Sequence, residues 1–287
     1  PSKRGKTSFY SPYYSNSNGN ITIKKLFNKK VFDYSKSISL IKDLILLSNS
    51  SSDDIILDFF AGSGTTADAV MQLNAQDKKE GKGGNRKFIL VQLPENIDEK
   101  KSKTAYDFVK EELKIEKPTI FDITKERIIR ASKKIREENT LENLPEFNFK
   151  VFQTIPIWND YKVEEKEFNP QTTLFDESKL NEEDLYSLLT TWKTYDGVEL
   201  TQPIEEIKLE NYTAHYTNEK LYLMNKSFQT NHLKALINKI DEDREFNPKI
   251  IVLFGYNFQS KMLREITENI KHYSNKKNAD IEVITKY

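Results

Sequence analysis

Apolar runs and helical periodicities alternate through the first half of the chain. Apolar side chains at helical spacing over residues 37–47 predict an amphipathic helix. Ile55–Leu57 and Phe88–Val91 are short apolar runs, which are typical of buried parallel strands. A glycine loop at 61–64 joins the first strand to a helix predicted over 65–73. The order helix, strand, glycine loop, helix, strand predicts an α/β fold, namely part of a doubly wound, Rossmann-like sheet.

The pattern changes near residue 150. A basic amphipathic helix is predicted over 125–138, and the stretch Phe149–Gln153 resembles a strand entering another unit. Residues 159–181 are acidic and predict a loop. Beyond them, the pattern predicts helices at 181–191, 229–240 and 258–272, and strands near 205–216, 220–225, 249–254 and 280–286. This half therefore predicts a smaller C-terminal α/β or α+β domain.

Composition narrows the possible functions. The 287 residues carry 44 basic and 44 acidic side chains, so any contact with nucleic acid requires a local basic patch. The chain has no cysteine, and its three histidines lack ligand-like spacing, so we expect no metal site. No stretch approaches the length of apolar sequence that a membrane span needs, and no signal peptide opens the chain, so the expected compartment is the cytoplasm.

The first 32 residues are basic and contain no acidic side chain. Aromatic residues lie among these cations, a mixture that suits phosphates and bases. A solvated connector rich in serine and asparagine is the alternative interpretation. Nothing before Ile21 predicts the start of a fold, and we expect the chain to begin partway through a longer protein.

The glycine loop permits two cofactors. Gly62–Ala67 fits the Gly-x-Gly-x-x-Gly/Ala pattern of dinucleotide-binding proteins. Asp58, however, lies at the strand end, where its carboxylate disfavours a pyrophosphate and favours a cationic group such as the ammonium of S-adenosylmethionine. The second strand ends in Gln92, where a dinucleotide site has an acidic residue for the ribose. Gln92 can still hydrogen-bond a pair of hydroxyls, so both cofactors remain open at this point.

Three co-linear motifs carry a resemblance to a known family. Asp58–Thr66 resembles the Phe-x-Gly-x-Gly cofactor motif of DNA amino-methyltransferases. Together with Asn85–Glu95 and Ile123–Ala131, it resembles the Mod subunits of type III restriction–modification systems, of the β circular permutation. Upstream, Phe32–Ile41 is similar to the family motif that precedes the glycine loop, although serine stands here in place of both prolines of the family's Tyr-Pro-Lys-Pro, at positions 35 and 37. Gly197–Pro203 and a stretch at 255–258 also fit the family's C-terminal region.

The resemblance implies a function and partners. It implies an S-adenosylmethionine-dependent DNA adenine-N6 methyltransferase that acts on double-stranded DNA, assembles as a homodimer of Mod subunits and binds a restriction (Res) subunit. It also implies three parts: a basic connector following a target-recognition region (1–32), a cofactor-binding part (33–148) and a C-terminal assembly domain (149–287). The family's catalytic Asp-Pro-Pro-Tyr motif is absent from this sequence, so the catalytic residues are unknown.

The same resemblance suggests a cofactor site. Asp58 is expected at the methionine end, Phe60 against the adenine and Gln92 at the ribose. Gly62 and Gly64 would allow close backbone approach. Ser63, Thr65 and Thr66 are expected to offer hydroxyls or backbone amide donors to the cofactor carboxylate, and Lys36 and Ser37 are expected to close the same side. For Phe60 the alternative is a plain core aromatic, for Lys36 a solvated lysine, and for Gln92 a polar strand end.

Two other functions remain as hypotheses. The chain could be a noncatalytic fragment that acts as an assembly or DNA-binding module. A nicotinamide-dependent oxidoreductase is disfavoured by Asp58 and Gln92.

Overall fold

The computed structural model describes residues 9, 12–139, 147–156, 180–277 and 279–287. The chain divides into two compact units, residues 1–149 and 150–287. The first unit contains a short 3₁₀ turn and then α1 (Asn16–Phe27), α2 (Ile38–Leu47), β1 (Ile55–Asp58), α3 (Thr65–Lys79), β2 (Lys87–Leu90), α4 (Lys103–Asp107) with a π turn at Phe108–Glu112, and α5 (Ile120–Glu138). The second contains α6 (Glu182–Tyr195), β3 (Glu205–Leu209), β4 (Tyr212–Thr217), β5 (Lys220–Leu223), α7 (Thr230–Glu242), β6 (Ile250–Phe254), α8 (Ser260–Lys277) and β7 (Glu282–Lys286). The fold is mixed α/β with two sheets.

Helix α1 is a folded element that the sequence analysis missed. We expected nothing before Ile21 to begin a fold, and this expectation is wrong, because α1 starts at Asn16. Ile23 and Phe27 of this helix are buried with Phe108 and Ile123 in one core cluster. The first turn of α1 is polar and rich in asparagine, and the two buried apolar residues of the helix lie only one helical turn apart. Such a short apolar pattern does not predict a helix from the sequence.

The sheet of the first unit has two parallel strands, with Ile55 paired to Lys87 and Asp58 to Leu90. One face packs on α2, α3 and α5 through residues such as Phe88. Ile55 and Leu57 on the other face are 52% and 49% exposed. The expectation of fully buried strands is therefore wrong for this face, because helices of the described chain cover only one side of the pair.

Helix α3 is the most deeply placed helix of the first unit. Its residues from Thr65 to Leu73 are almost all buried, and it extends to Lys79, beyond the predicted end. Helix α5 begins earlier than predicted, at Ile120, where Asp122 accepts hydrogen bonds from the backbone N–H and the hydroxyl of Thr119 (2.9 and 2.7 Å). Such an N-terminal cap satisfies a backbone donor that the helix leaves unpaired.

The second unit contains a five-stranded sheet of order β3-β4-β5-β6-β7. The pairs β3/β4 and β4/β5 are antiparallel, whereas β5/β6 and β6/β7 are parallel. Helices α7 and α8 make the crossovers between the parallel strands and cover one face with a cluster that includes Leu236 and Ile266. Helix α6 covers the other face, where Leu189 packs with Tyr222 and Val252. Both faces of the central strands are thus buried.

One predicted strand of this half is absent. The described residues 147–156 contain no strand, so the expectation at Phe149–Gln153 is wrong. Val151 and Phe152 are about half exposed, and alternation of polar and apolar side chains alone does not provide a neighbouring strand to pair with. The acidic loop predicted at 159–181 lies largely outside the described residues.

Candidate functional site

The glycine loop, Ala61–Gly64, connects β1 to α3 in a tight turn. Gly62 and Gly64 have φ values of 52° and 77°, in the left-handed region that favours glycine. The backbone N–H of Ala61 donates to the carbonyl of Val91 (3.1 Å), which ties the loop to the end of β2. A Cβ at Gly64 would lie 3.2 Å from the carbonyl oxygen of Thr124, so α5 passes directly behind the loop.

Asp58 lies at the mouth of this loop, at the last position of β1. Its two carboxylate oxygens accept hydrogen bonds from the backbone N–H of Phe60 (3.0 Å) and from the hydroxyl of Thr66 (2.6 Å). These bonds fix the carboxylate between the strand end and the first turn of α3. The side chain remains partly exposed, so a ligand can reach it.

Gln92 faces the loop from the end of the second strand. Its Oε1 accepts from the backbone N–H of Gly62 (2.7 Å), and its Nε2 donates to the carbonyl of Leu93 (2.9 Å). Thr124 holds the other side of the same glycine, since its hydroxyl donates to the Gly62 carbonyl (2.5 Å). Both backbone polar groups of Gly62 are therefore used within the protein.

The serine and threonine hydroxyls at the start of α3 turn inward. Ser63, Thr65 and Thr66 are all nearly fully buried. The hydroxyls of Ser63 and Thr65 lie 2.9 and 2.8 Å from Nη1 of Arg127, and that of Thr66 is bonded to Asp58. These hydroxyls hold the loop itself.

Arg127 is a site residue that the sequence analysis missed. It lies within the quoted motif Ile123–Ala131, but an arginine with helical spacing is ordinarily interpreted as a solvated side chain. In the structure it is 0% exposed and pairs with Asp68 of α3, with distances of 3.2 Å from Nε and 3.0 Å from Nη2 to one carboxylate oxygen. Burial lowers the pKa of the Arg127 guanidinium, and the Asp68 carboxylate opposes that shift.

Lys36 and Ser37 lie beside the loop, and the contact with the loop is made by the backbone of Lys36. The Lys36 side chain is exposed, and its backbone carbonyl accepts from the Thr65 hydroxyl at 3.5 Å. Ser37 is buried, and its hydroxyl donates to the backbone carbonyl of Tyr13. The structure therefore brings the backbone of this segment to the loop, rather than the two side chains.

Phe60 projects from the loop. Its side chain is 90% exposed, which excludes the alternative of a core aromatic in this chain. Phe59 and Tyr34 are also exposed large aromatic side chains of this unit. Exposed aromatic rings beside a glycine loop offer a stacking face to a planar ligand.

Two cavities among the described residues lie away from the loop. One, of about 400 Å³, is a shallow groove along α1 lined by Ile21, Lys24, Lys25 and Asn28. The other, of about 530 Å³, lies in the second unit between the start of α6 and the β3–β4 hairpin, beside Asn181. Neither cavity brings together groups with evident chemistry, so the glycine loop remains the candidate site.

Within the described ranges, no three histidine or acidic side chains converge as a metal would require. Among the helices that the structure describes, none combines the length and apolar character needed to cross a membrane.

Two family models match parts of the chain, one in each unit. Residues 3–99 match the family model described as DNA methylase. Residues 183–279 match the model described as type III R-M EcoP15I C-terminal domain.

Individual relatives match along nearly the whole chain. The Mod subunit of the type III restriction-modification enzyme EcoPI from Escherichia phage P1 is 40% identical over all of this chain and 42% of its own length. The EcoP15I Mod subunit of Escherichia coli is 38% identical over 92% of this chain and 37% of its own length. The StyLTI Mod subunit of Salmonella typhimurium is 30% identical over 95% of this chain and 43% of its own length. The chain thus spans about two fifths of the length of these relatives.

Proposed function

Because the chain belongs to the family of Mod subunits of type III restriction–modification enzymes, we propose that it forms the cofactor-binding part and C-terminal domain of an S-adenosylmethionine-dependent DNA adenine-N6 methyltransferase. The bound cofactor would supply the methyl group. The chain contains no Asp-Pro-Pro-Tyr sequence, so we assign no catalytic residue to it.

The position of Asp58 carries the cofactor proposal. Its carboxylate lies at the mouth of a strand–glycine loop–helix turn and is held by Phe60 N–H and the Thr66 hydroxyl. A negative charge there repels the pyrophosphate of a dinucleotide and attracts the ammonium group of S-adenosylmethionine. Asp58 would bind and orient the methionine end of the cofactor.

The other proposed roles follow from where each group lies. Phe60 would stack on the adenine through its exposed ring. Gln92 would meet the ribose through the second lone pair of Oε1, since the first is used by Gly62. Because the hydroxyls of Ser63, Thr65 and Thr66 are used internally, we assign the cofactor carboxylate to backbone N–H groups at the start of α3. Lys36 would add positive charge on that side, and Ser37 would fix the backbone beside it.

The exposed face of the β1/β2 pair supports a larger sheet. Parallel strands are normally covered on both faces by helices. Ile55, Leu57 and Ile89 are about half exposed on one face. We therefore propose that the pair is part of a doubly wound methyltransferase sheet, completed in the whole protein by residues outside this chain.

The first experiment is calorimetric titration of the chain with S-adenosylmethionine, with NAD as the control ligand. The proposal is supported if the chain binds S-adenosylmethionine and not NAD, if Asp58→Asn loses this binding, and if Asp53→Asn keeps it. Asp53 is a suitable control because it is also an aspartate and precedes the first residue of β1, whereas Asp58 is the last residue of that strand. Binding that survives Asp58→Asn contradicts our assignment, and binding of NAD alone would favour an oxidoreductase.

Failure to bind either ligand would favour the second hypothesis, a noncatalytic assembly or DNA-binding module. The assembly role follows from the resemblance to Mod subunits, and residues 183–279 match the model described as type III R-M EcoP15I C-terminal domain. We propose that this unit assembles with a second Mod subunit and with the restriction subunit, and that the complete protein acts on double-stranded DNA in the cytoplasm. Sedimentation that finds a strict monomer over a wide concentration range would contradict the homodimer.

A further inference from the structure

Arg127 is a fully buried cation directly behind the glycine loop. It projects from α5 and is reached by groups from three other segments of the first unit. Its only charged partner among the described side chains within ion-pair distance is Asp68 (3.0 Å). The roles proposed above leave this arginine without a function.

Three hydroxyl groups converge on one nitrogen of the guanidinium. Nη1 lies 3.1 Å from Oγ of Ser35, 2.9 Å from Oγ of Ser63 and 2.8 Å from Oγ1 of Thr65. The hydroxyls also contact one another, with 2.9 Å between Ser35 and Ser63. Since arginine can only donate, these oxygens accept from it and share the two hydrogens of Nη1.

The contact with Ser35 connects two sides of the candidate cofactor site. Ser35 precedes α2 and lies next to Lys36, whereas Ser63 and Thr65 belong to the glycine loop and the start of α3. Asp68, one turn further along α3, holds the opposite edge of the guanidinium. One side chain therefore sets the separation between the segment at 35–37 and the loop.

Stability alone does not explain such a group. Removing an arginine and a carboxylate from water costs free energy that their attraction only partly returns, and apolar residues of similar volume often replace a buried ion pair without loss. The guanidinium of Arg127 has a different consequence for the fold. Its planar set of N–H donors fixes the relative positions of several acceptors at once.

We infer that Arg127 is a positioning residue for the cofactor site, which holds the 35–37 segment and the glycine loop at the separation that S-adenosylmethionine requires. This inference rests on the proposed function for the identity of the ligand. Arg127 itself does not touch the cofactor. It acts through Ser35, Ser63 and Thr65.

The test compares variants that separate stability from positioning. The double variant Arg127→Met with Asp68→Leu removes both charges together, so it leaves no unpaired buried charge. Ser35→Ala removes the contacts of the Ser35 hydroxyl with Arg127 and Ser63 and keeps the ion pair, and it provides a second variant if the double variant folds poorly. Arg130→Met is the matched control, because this arginine lies on the same helix over the rings of Phe27 and Phe108, away from the loop.

Two quantities are measured on the full chain. One is hydrogen exchange at residues 35–37 and 62–66 without ligand, and the other is the dissociation constant for S-adenosylmethionine. We expect the double variant to melt within a few degrees of the parent, to exchange faster in both segments and to bind about tenfold or more weakly. Ser35→Ala should show a smaller change in the same direction, and Arg130→Met should show none in either segment.

The outcomes are distinguishable. A stable double variant with parental exchange and affinity would overturn the positioning role and leave Arg127 as a structural residue. Faster exchange confined to these two segments, in a chain whose parent form does not bind S-adenosylmethionine, would uphold the positioning role and count against the proposed function. If the double variant does not fold, parental exchange and affinity in Ser35→Ala would overturn the inference.

Discussion

Replacement of Gly64 by alanine tests whether the loop depends on its contact with α5. Gly64 has a φ of 77°, and an added Cβ would lie 3.2 Å from the carbonyl oxygen of Thr124 and 3.3 Å from its Cγ2. Thr124 cannot easily give way, because its hydroxyl is bonded to the carbonyls of Gly62 (2.5 Å) and Ile120 (3.0 Å). The substitution therefore adds a steric conflict to the backbone strain.

Gly81→Ala is the matched control for the backbone part. Gly81 also has a positive φ, 68°, but an added Cβ there would meet no atom of the described residues within 4 Å. An alanine held in the left-handed backbone conformation destabilises the folded chain by about 1–2 kcal/mol. The lower entropy of the unfolded chain offsets about 0.4–1 kcal/mol of this. We expect Gly81→Ala to lower the free energy of unfolding by about 1 kcal/mol. Overpacking adds about 1–3 kcal/mol at Gly64, so its total should be about 2–4 kcal/mol.

Hydrogen exchange of α3 and α5 at increasing urea measures these free energies for the first unit. Trp192 lies in α6 of the second unit, and the sequence has no tryptophan within residues 1–149, so tryptophan fluorescence provides an internal control that should not change. Gly64→Ala should also weaken S-adenosylmethionine binding, whereas Gly81→Ala should not. Equal destabilisation by the two substitutions would refute the reasoning, since the contact with Thr124 would then contribute nothing.

Three further predictions concern individual hydrogen bonds and one titration. Gln92→Leu removes the acceptor of the Gly62 N–H, so hydrogen exchange at that amide should accelerate. The affinity for S-adenosylmethionine should fall several-fold. An unchanged exchange rate at Gly62 would contradict the contact with Gln92. Lys193→Met leaves three carbonyls without their shared donor and should destabilise the second unit by about 1–3 kcal/mol in urea unfolding followed by fluorescence. Burial lowers the pKa of the His215 imidazole in the folded chain below its usual 6.5. As the pH falls, the unfolded chain therefore binds a proton at His215 before the folded chain does. The free energy of unfolding of the second unit should therefore decrease as the pH falls below about 6.5, and His215→Gln should abolish that decrease.

Local features of the fold were predictable from the sequence. The strands predicted at Ile55–Leu57 and Phe88–Val91 are found at Ile55–Asp58 and Lys87–Leu90. The glycine loop and the start of α3 were also predictable, because apolar runs and glycine spacing are encoded within a few residues. The helices and strands of the second unit followed from the same periodicities, except for the strand expected at Phe149–Gln153, which is absent from the described residues. Resemblance over three motifs was enough to identify the family.

Other features depended on contacts between distant parts of the chain. Apolar character in β1 predicted that its side chains prefer burial, but only the tertiary structure decided that α2 and α3 cover one face and leave Leu57 on the other face half exposed. Helix α1 was missed because its stability comes from packing Phe27 against Phe108, not from its polar first turn. Arg127 was missed because its acceptors come from segments 59 to 92 residues away. A side chain that is solvated in any local view becomes a buried hydrogen-bond centre only when those segments meet.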